Sequence, residues 1–223
     1  MEQDKTSIAV GIFDKLATLY QERFMDVSLY SDSFHAFCNA IPQHGASILE
    51  AACGPGNITR FLLDLRSDLT IHGTDLSPSM LELARHNNPT AEFGLLDCRN
   101  ISELDRKFNA ILCGFAFPYL SKEEAIRFIH DASLQLLPDG VLYISTMEDD
   151  HSKSSWQAGS TGDLIFMNFH EAGYLKAALE TAGFTVFFED RKSYPGAGDS
   201  QVTDLILIAK KETINSESRI LVR

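Results

Sequence analysis

The chain's 223 residues suit one α/β domain with a full core, and 44% hydrophobic against 22% charged residues is an ordinary globular balance. A formal net charge of −12 argues against phosphate backbones or anionic membranes, which select clustered Lys and Arg, so neither nucleic acid nor membrane is expected as a partner. No run approaches the ~18 apolar residues of a membrane span, and the start MEQDKTSIAV has neither a basic flank nor an apolar segment, so a cytoplasmic protein handling a small molecule is expected.

In chain order, residues 1–9 carry little pattern. Gly11–Phe24 reads as an amphipathic helix through Ile12, Leu16, Leu19, Tyr20 and Phe24. Ser31–Ile41 is a second helix with Phe34, Phe37, Cys38 and Ile41 on one face, ended by Pro42. Both precede the first strand and make residues 1–45 a helical cap.

From Ile48 onward, strands and helices alternate, which predicts a parallel, doubly wound α/β sheet. Ile48–Ala52 is the first strand; Gly54 and Gly56 then turn the chain into a helix over Asn57–Arg66. Glycine removes the Cβ and lets backbone approach a ligand, which open α/β sheets hold beyond the carboxyl ends of their strands. Leu69–Thr74 ends at Asp75, with Ser77 as helix N-cap and Pro78 at the first helical position. Glu92–Leu96 ends at Asp97. Asn109–Cys113 runs into Gly114–Tyr119, and a helix opened by the capping box Ser121/Glu124 closes at Pro138–Gly140.

Val141–Met147 is the fifth strand. Residues 148–166, rich in Ser, Gly and charge and holding the only tryptophan, read as a loop-like lid insertion. Asn168 and Glu171 suggest a second capping box for a helix over Phe169–Ala182. Phe184–Glu189 and Thr203–Ala209, joined by SYPGAGDSQ without a helix, should pair antiparallel. The partition is then one domain over 1–223, with a core over 46–211 and a tail over 212–223. Cys38, Cys53, Cys98 and Cys113 show no C-x-x-C pair and read as free thiols.

Glu50-Ala-Ala-Cys-Gly-Pro-Gly56, the acidic strand ends at Asp75 and Asp97, and the closing antiparallel hairpin together resemble the class I S-adenosylmethionine (SAM)-dependent methyltransferases. The resemblance covers about Ile48–Lys211. It implies a seven-stranded, mostly parallel sheet of order 3-2-1-4-5-7-6 with the last strand antiparallel. It also implies SAM as cofactor, S-adenosylhomocysteine (SAH) as product, and no metal.

By that resemblance Gly54 and Gly56 pass beside the methionine part and ribose, and Glu50 faces the ammonium. Ala52 stands where the family commonly has its first glycine, tolerable if its φ stays below zero. Asp75 accepts from both ribose hydroxyls. Asp97 and Cys98 meet the adenine edge between Leu76, Met80 and Leu96, while Gly114 and Phe115 face the reacting end. Tyr20 and Tyr30 are candidates to close over the ligand from the cap. Tyr30, Phe117, Tyr119 and Trp156 are candidate substrate residues, against ordinary core packing. His170 is either a general base or a surface residue of a first helical turn.

NAD-binding domains share a Gly-x-Gly turn with an acidic residue about twenty positions on, but they want a third small residue where Thr59 stands and ask for neither Glu50 nor Asp97. Cys53, Cys98 and Cys113 at neighbouring strand ends suggest a metal or arsenical site; small buried residues lining a cofactor pocket explain them better. Strand four lacks an Asn/Asp-Pro-Pro-Tyr sequence and an Asp-Asn pair for magnesium. The expected function is methyl transfer to an O, N or C nucleophile of a small molecule, by a monomer or homodimer. The alternative is a non-catalytic SAM- or SAH-binding module that contacts a protein partner.

Overall fold

The computed structural model describes residues 4–159, 161–195 and 201–212. Residues 213–223 of the expected tail over 212–223, residues 1–3, residue 160 and positions 196–200 of the SYPGAGDSQ connection lie outside them. One mixed sheet carries β1 (Ser47–Ala51), β2 (Thr70–Asp75), β3 (Glu92–Leu95), β4 (Phe108–Cys113), β5 (Leu136–Met147), β8 (Phe184–Pro195) and β9 (Gln201–Lys211), in the order β3-β2-β1-β4-β5-β9-β8. The first five are parallel, and β9 runs antiparallel to both β5 and β8. This is the order expected from the sequence, renumbered by one short hairpin.

That hairpin is β6 (Ser155–Ala158) with β7 (Leu164–Met167), a separate two-stranded sheet inside the segment read as loop. Its composition hides it, because the Ser- and Gly-rich flanks mask the cross-strand pair Trp156–Phe166.

Strand residues buried on both faces explain the continuous apolar runs. On one face Leu49, Ile111, Leu142 and Leu207 pack under α6 (Lys122–Gln135) and α7 (Ala172–Thr181) through Phe128, Ile129, Leu175 and Leu179. On the other, Ile48, Leu112, Tyr143 and Ile206 meet Phe34 and Phe37 of α3 (Ser31–Asn39) and Leu62 of α4 (Asn57–Leu65). The neighbouring β1 and β4 are the point where the winding direction reverses, and the loops after them open a crevice there.

Several expectations are corrected. The cap begins earlier and is broken: α1 (Lys5–Lys15), N-capped by Asp4, is followed by α2 (Ala17–Phe24), with Leu16 between them at φ −106° and ψ 15°. The Asn168/Glu171 capping box does not form. The Asn168 backbone amide and side-chain amide both donate to the Pro118 carbonyl, at 2.8 and 3.2 Å, and α7 starts at Ala172 with no side-chain cap bond. β5 starts at Leu136 and takes the Pro138–Gly140 turn into a register shift opposite Phe108 and Ala110. The Ser121/Glu124 box and the Ser77 cap of α5 (Pro78–Asn87) form as read. Among the described residues no helix is long and apolar enough to cross a membrane.

Candidate functional site

A cleft of about 110 Å³ opens at the carboxyl ends of β1, β2 and β4. Its rim is set by the turn after β1, where Gly54 and Gly56 take φ of 52° and 75°. Ala52 also turns left-handed, at φ 55°, contrary to the expectation that a methyl there needs φ below zero. Phe115, after β4, does the same at φ 60°. Each such non-glycine residue costs ~1–3 kcal/mol, and strain of this kind gathers where a ligand is held.

Asp75 ends β2 and is held from two sides: the Gly54 amide donates to Oδ2 at 2.9 Å and the Ser77 amide to Oδ1 at 2.8 Å. Burial pushes its pKa above the usual carboxylate value. Tyr20, Ala52 and Gly54 line this cleft with Asp75; so do Leu76, Met80, Leu96, Asp97 and Cys98 on one side and Gly114 and Phe115 at the other.

Asp97 is gripped by Arg99, whose Nη2 and Nε donate to Oδ2 at 2.6 and 2.9 Å. Arg99 also pairs with Asp4 at 2.9 Å and Glu124 at 3.0 Å, so one guanidinium ties the start of α1 to the end of β3.

Two expected ligand residues lie outside the cleft wall. Glu50 is 1% exposed, buried beneath the glycine turn, and Thr59 Oγ1 donates to its Oε2. Burial, reinforced by the Asp75 charge, raises its pKa to about 8. Gly56 N-caps α4, and a Cβ there would meet Asn88 Nδ2 at 2.3 Å.

Beyond the cap residues expected from the sequence, α1 also lines the cleft through Thr6, Ala9 and Val10, beside Phe13. Thr6 Oγ1 donates to the Tyr119 carbonyl at 2.8 Å. Asp14 accepts from Ser77 Oγ at 2.6 Å and the Ser79 amide at 2.9 Å, docking α1 on the first turn of α5. The cue available was Asp4 as an N-cap.

A second cavity, of about 400 Å³, adjoins the first and shares four lining residues with it: Phe13, Tyr20, Phe115 and Tyr119. Phe13 packs edge-on against Tyr20 and Tyr119, with ring centroids 5.7 and 5.0 Å apart. The rest of the wall comes from α1, α2, the β6–β7 hairpin and β8–β9, and Lys15 pairs with Asp163 at 3.4 Å between α1 and the hairpin. Asp204, unremarked in the sequence, lies here at 2% exposure. Tyr30 donates to its Oδ2 at 2.5 Å and Tyr194 to its Oδ1 at 3.4 Å.

Of the expected substrate residues, Tyr30 lines this second cavity and Tyr119 lines both. Phe117 does not; it is fully buried against Phe128, with centroids 5.5 Å apart. Trp156 is 46% exposed on the hairpin, edge-on to Phe166, and lines neither cavity. His170 is no surface residue: it is 0% exposed, its Nε2 meets the Phe117 carbonyl at 2.8 Å, and its Nδ1 meets the Tyr174 hydroxyl. It lines neither cavity, and burial drives its pKa down to about 4. Of the three strand-end cysteines, Cys98 lines the first cavity while Cys53 and Cys113 are buried behind it. The run from Glu148 is spent on ion pairs, Glu148 with Arg191 and Asp149 with Lys153.

Residues 48–140 match the family model described as a methyltransferase domain. The chain is 38% identical over 105 residues to a dTDP-3-amino-3,6-dideoxy-alpha-D-glucopyranose N,N-dimethyltransferase of Streptomyces fradiae, a match covering 44% of this chain and 38% of that protein. It is 34% identical over 143 residues to a demethylmenaquinone methyltransferase of Thermotoga maritima, covering 59% of this chain and 61% of that one. The chain spans less than two thirds of the length of both relatives, 38% and 61%. Among solved structures, the DhpI–SAH complex superposes with a TM-score of 0.70 over 95% of this chain and 99% of that one, at 17% identity, which shows the fold. Residues 48–140 are thus similar to a methyltransferase domain, and the fold of nearly the whole chain is the Rossmann-like one of the SAH-bound neighbour.

Proposed function

We propose that the chain transfers the methyl group of SAM to an O, N or C nucleophile of a small molecule, leaving SAH. The observation that carries this reading is the pair of cavities meeting at the aromatic partition of Phe13, Tyr20, Phe115 and Tyr119. One has the fittings of a nucleoside site and the other the size and apolar lining of an acceptor site.

The residues present fit SAM. Asp75 offers acceptor oxygens to the two ribose hydroxyls, and its two backbone donors fix their direction. Leu76, Met80 and Leu96 give apolar walls to an adenine, with Asp97 and Cys98 at its edge. Gly54 has open space where a side chain would start, its nearest neighbour being Tyr20 at 3.9 Å. Glu50 is buried below the turn, and an ammonium end bound above it would favour its charged form.

SAM brings an already activated methyl group, so the protein supplies orientation and exclusion of water. Phe115 and Tyr119 hold the boundary between the two cavities, and α1 with the β6–β7 hairpin shields it. The two relatives' names, an amino sugar nucleotide N,N-dimethyltransferase and a demethylmenaquinone methyltransferase, support a small-molecule acceptor. The test is mass-spectrometric detection of SAH and a methylated product from SAM and a panel of small nucleophiles. SAM binding with no product from any panel member would instead favour a non-catalytic binding module.

A further inference from the structure

We infer that Asp204, with Tyr30 and Tyr194, forms a recognition site for a basic nitrogen, so that the acceptor is an amine on an apolar body. This rests on the methyltransferase reading and names the acceptor class.

Three observations carry it. Asp204 is 2% exposed yet lines the larger cavity, whose wall also holds the apolar Val27, Met147, Ile165 and Met167 and the charged Arg23, Asp26 and Asp163. A buried carboxylate is expensive unless hydrogen-bonded and paired with opposite charge. Among the described residues its side-chain partners are neutral hydroxyls, Tyr30 at 2.5 Å and Tyr194 at 3.4 Å. Lys192, its register partner on β8, is committed to Asp190 at 2.9 Å and stands 3.9 Å from Asp32. An incoming ammonium supplies a counter-charge that neither of these described hydroxyl partners gives.

Second, aromatic faces surround the route from Asp204 to the shared partition. The Tyr30 ring, whose hydroxyl binds Asp204, packs 4.7 Å from the Phe115 ring, and Phe115 lines both cavities. Rings so placed favour a cation electrostatically. Third, the proton balance suits an amine. Asp204 takes one proton from the bound ammonium, and the freed nitrogen lone pair forms the new N–C bond. The S–C bond breaks with its electron pair left on sulfur, and the product leaves as the methylated ammonium. An acceptor without a basic nitrogen has no counter-charge to offer Asp204.

The test uses SAH-loaded full chain titrated calorimetrically with 2-phenylethylamine and octylamine, and with their neutral isosteres 2-phenylethanol and octan-1-ol. The wild type is expected to bind each amine at least ~10-fold more tightly than its alcohol, the weight of one charge-assisted contact. Asp204→Asn should remove the preference and leave SAH affinity unchanged, and Tyr194→Phe should reduce it. Equal binding of amine and alcohol by the wild type, no amine binding, or a preference that survives in Asp204→Asn would each overturn the inference. The wild-type comparison stands even where the variant fails to fold. Absence of SAH binding would sink the methyltransferase reading itself, a separate outcome.

Discussion

Replacing Asp75 by alanine removes the acceptor assigned to both ribose hydroxyls. A hydrogen bond to a charged group contributes ~1.5–3 kcal/mol, so losing two removes ~3–6 kcal/mol and raises the SAH dissociation constant ~10²–10⁴-fold. The same change strips the Gly54 and Ser77 amides of their acceptor, 2.9 and 2.8 Å away. That cost is offset in part, because burial already disfavours the Asp75 charge. A melting-temperature fall of only a few degrees is therefore expected, since ~1 kcal/mol moves a chain of this size by ~2–4 °C.

Calorimetric titration of SAH into wild type and Asp75→Ala, with melting curves for both, reads the two effects separately. An SAH affinity within about threefold of wild type, under ~0.7 kcal/mol, would refute the ribose role. The pH dependence has a definite sign. Accepting two hydroxyls requires the carboxylate, so affinity should fall as pH drops through the raised Asp75 pKa and stay level above it.

Three further outcomes are expected. Glu50 titrates near 4.5 unfolded and about 8 folded, so its contribution to stability is full below 4.5 and is lost as pH rises to about 8; Glu50→Gln should flatten that slope in denaturant melts across the window. Gly56→Ala combines φ of 75° with a 2.3 Å approach to Asn88 Nδ2, and should cost ~2 kcal/mol or more; an unchanged melting temperature would contradict this. Arg99→Ala frees Asp4 at the start of α1 and leaves Asp97 without its guanidinium; SAH should dissociate faster in stopped-flow, with earlier proteolytic cleavage in α1. Unaltered dissociation would dismiss α1 as the closure of the cleft.

The first cavity was legible because its residues act through backbone position. Gly54, Asp75 and Asp97 sit at fixed places on strand ends, and a strand end is visible in hydrophobic pattern. Glu50 was legible as acidic, but only the fold shows it lying under the turn against Thr59. The left-handed Ala52 was invisible, since nothing local dictates it.

The second cavity was mostly hidden because it is assembled from distant segments. Asp204 sits in TDLILIA, where one acid in an apolar strand carries no signal of its two tyrosine partners, 174 and 10 residues away in sequence. Phe117, Trp156 and His170 were aromatic or titratable residues near the right turns. Burial for Phe117 and His170, and the outer face of the hairpin for Trp156, removes them from the cavities. Chemical type suggests a role for such residues, but packing decides it.

The most direct measurement is titration of one protein sample with SAH and, separately, with NAD. Saturable one-to-one heat with SAH and none with NAD is the expected result. Heat with NAD and none with SAH would contradict the assignment of the cleft between β1, β2 and β4.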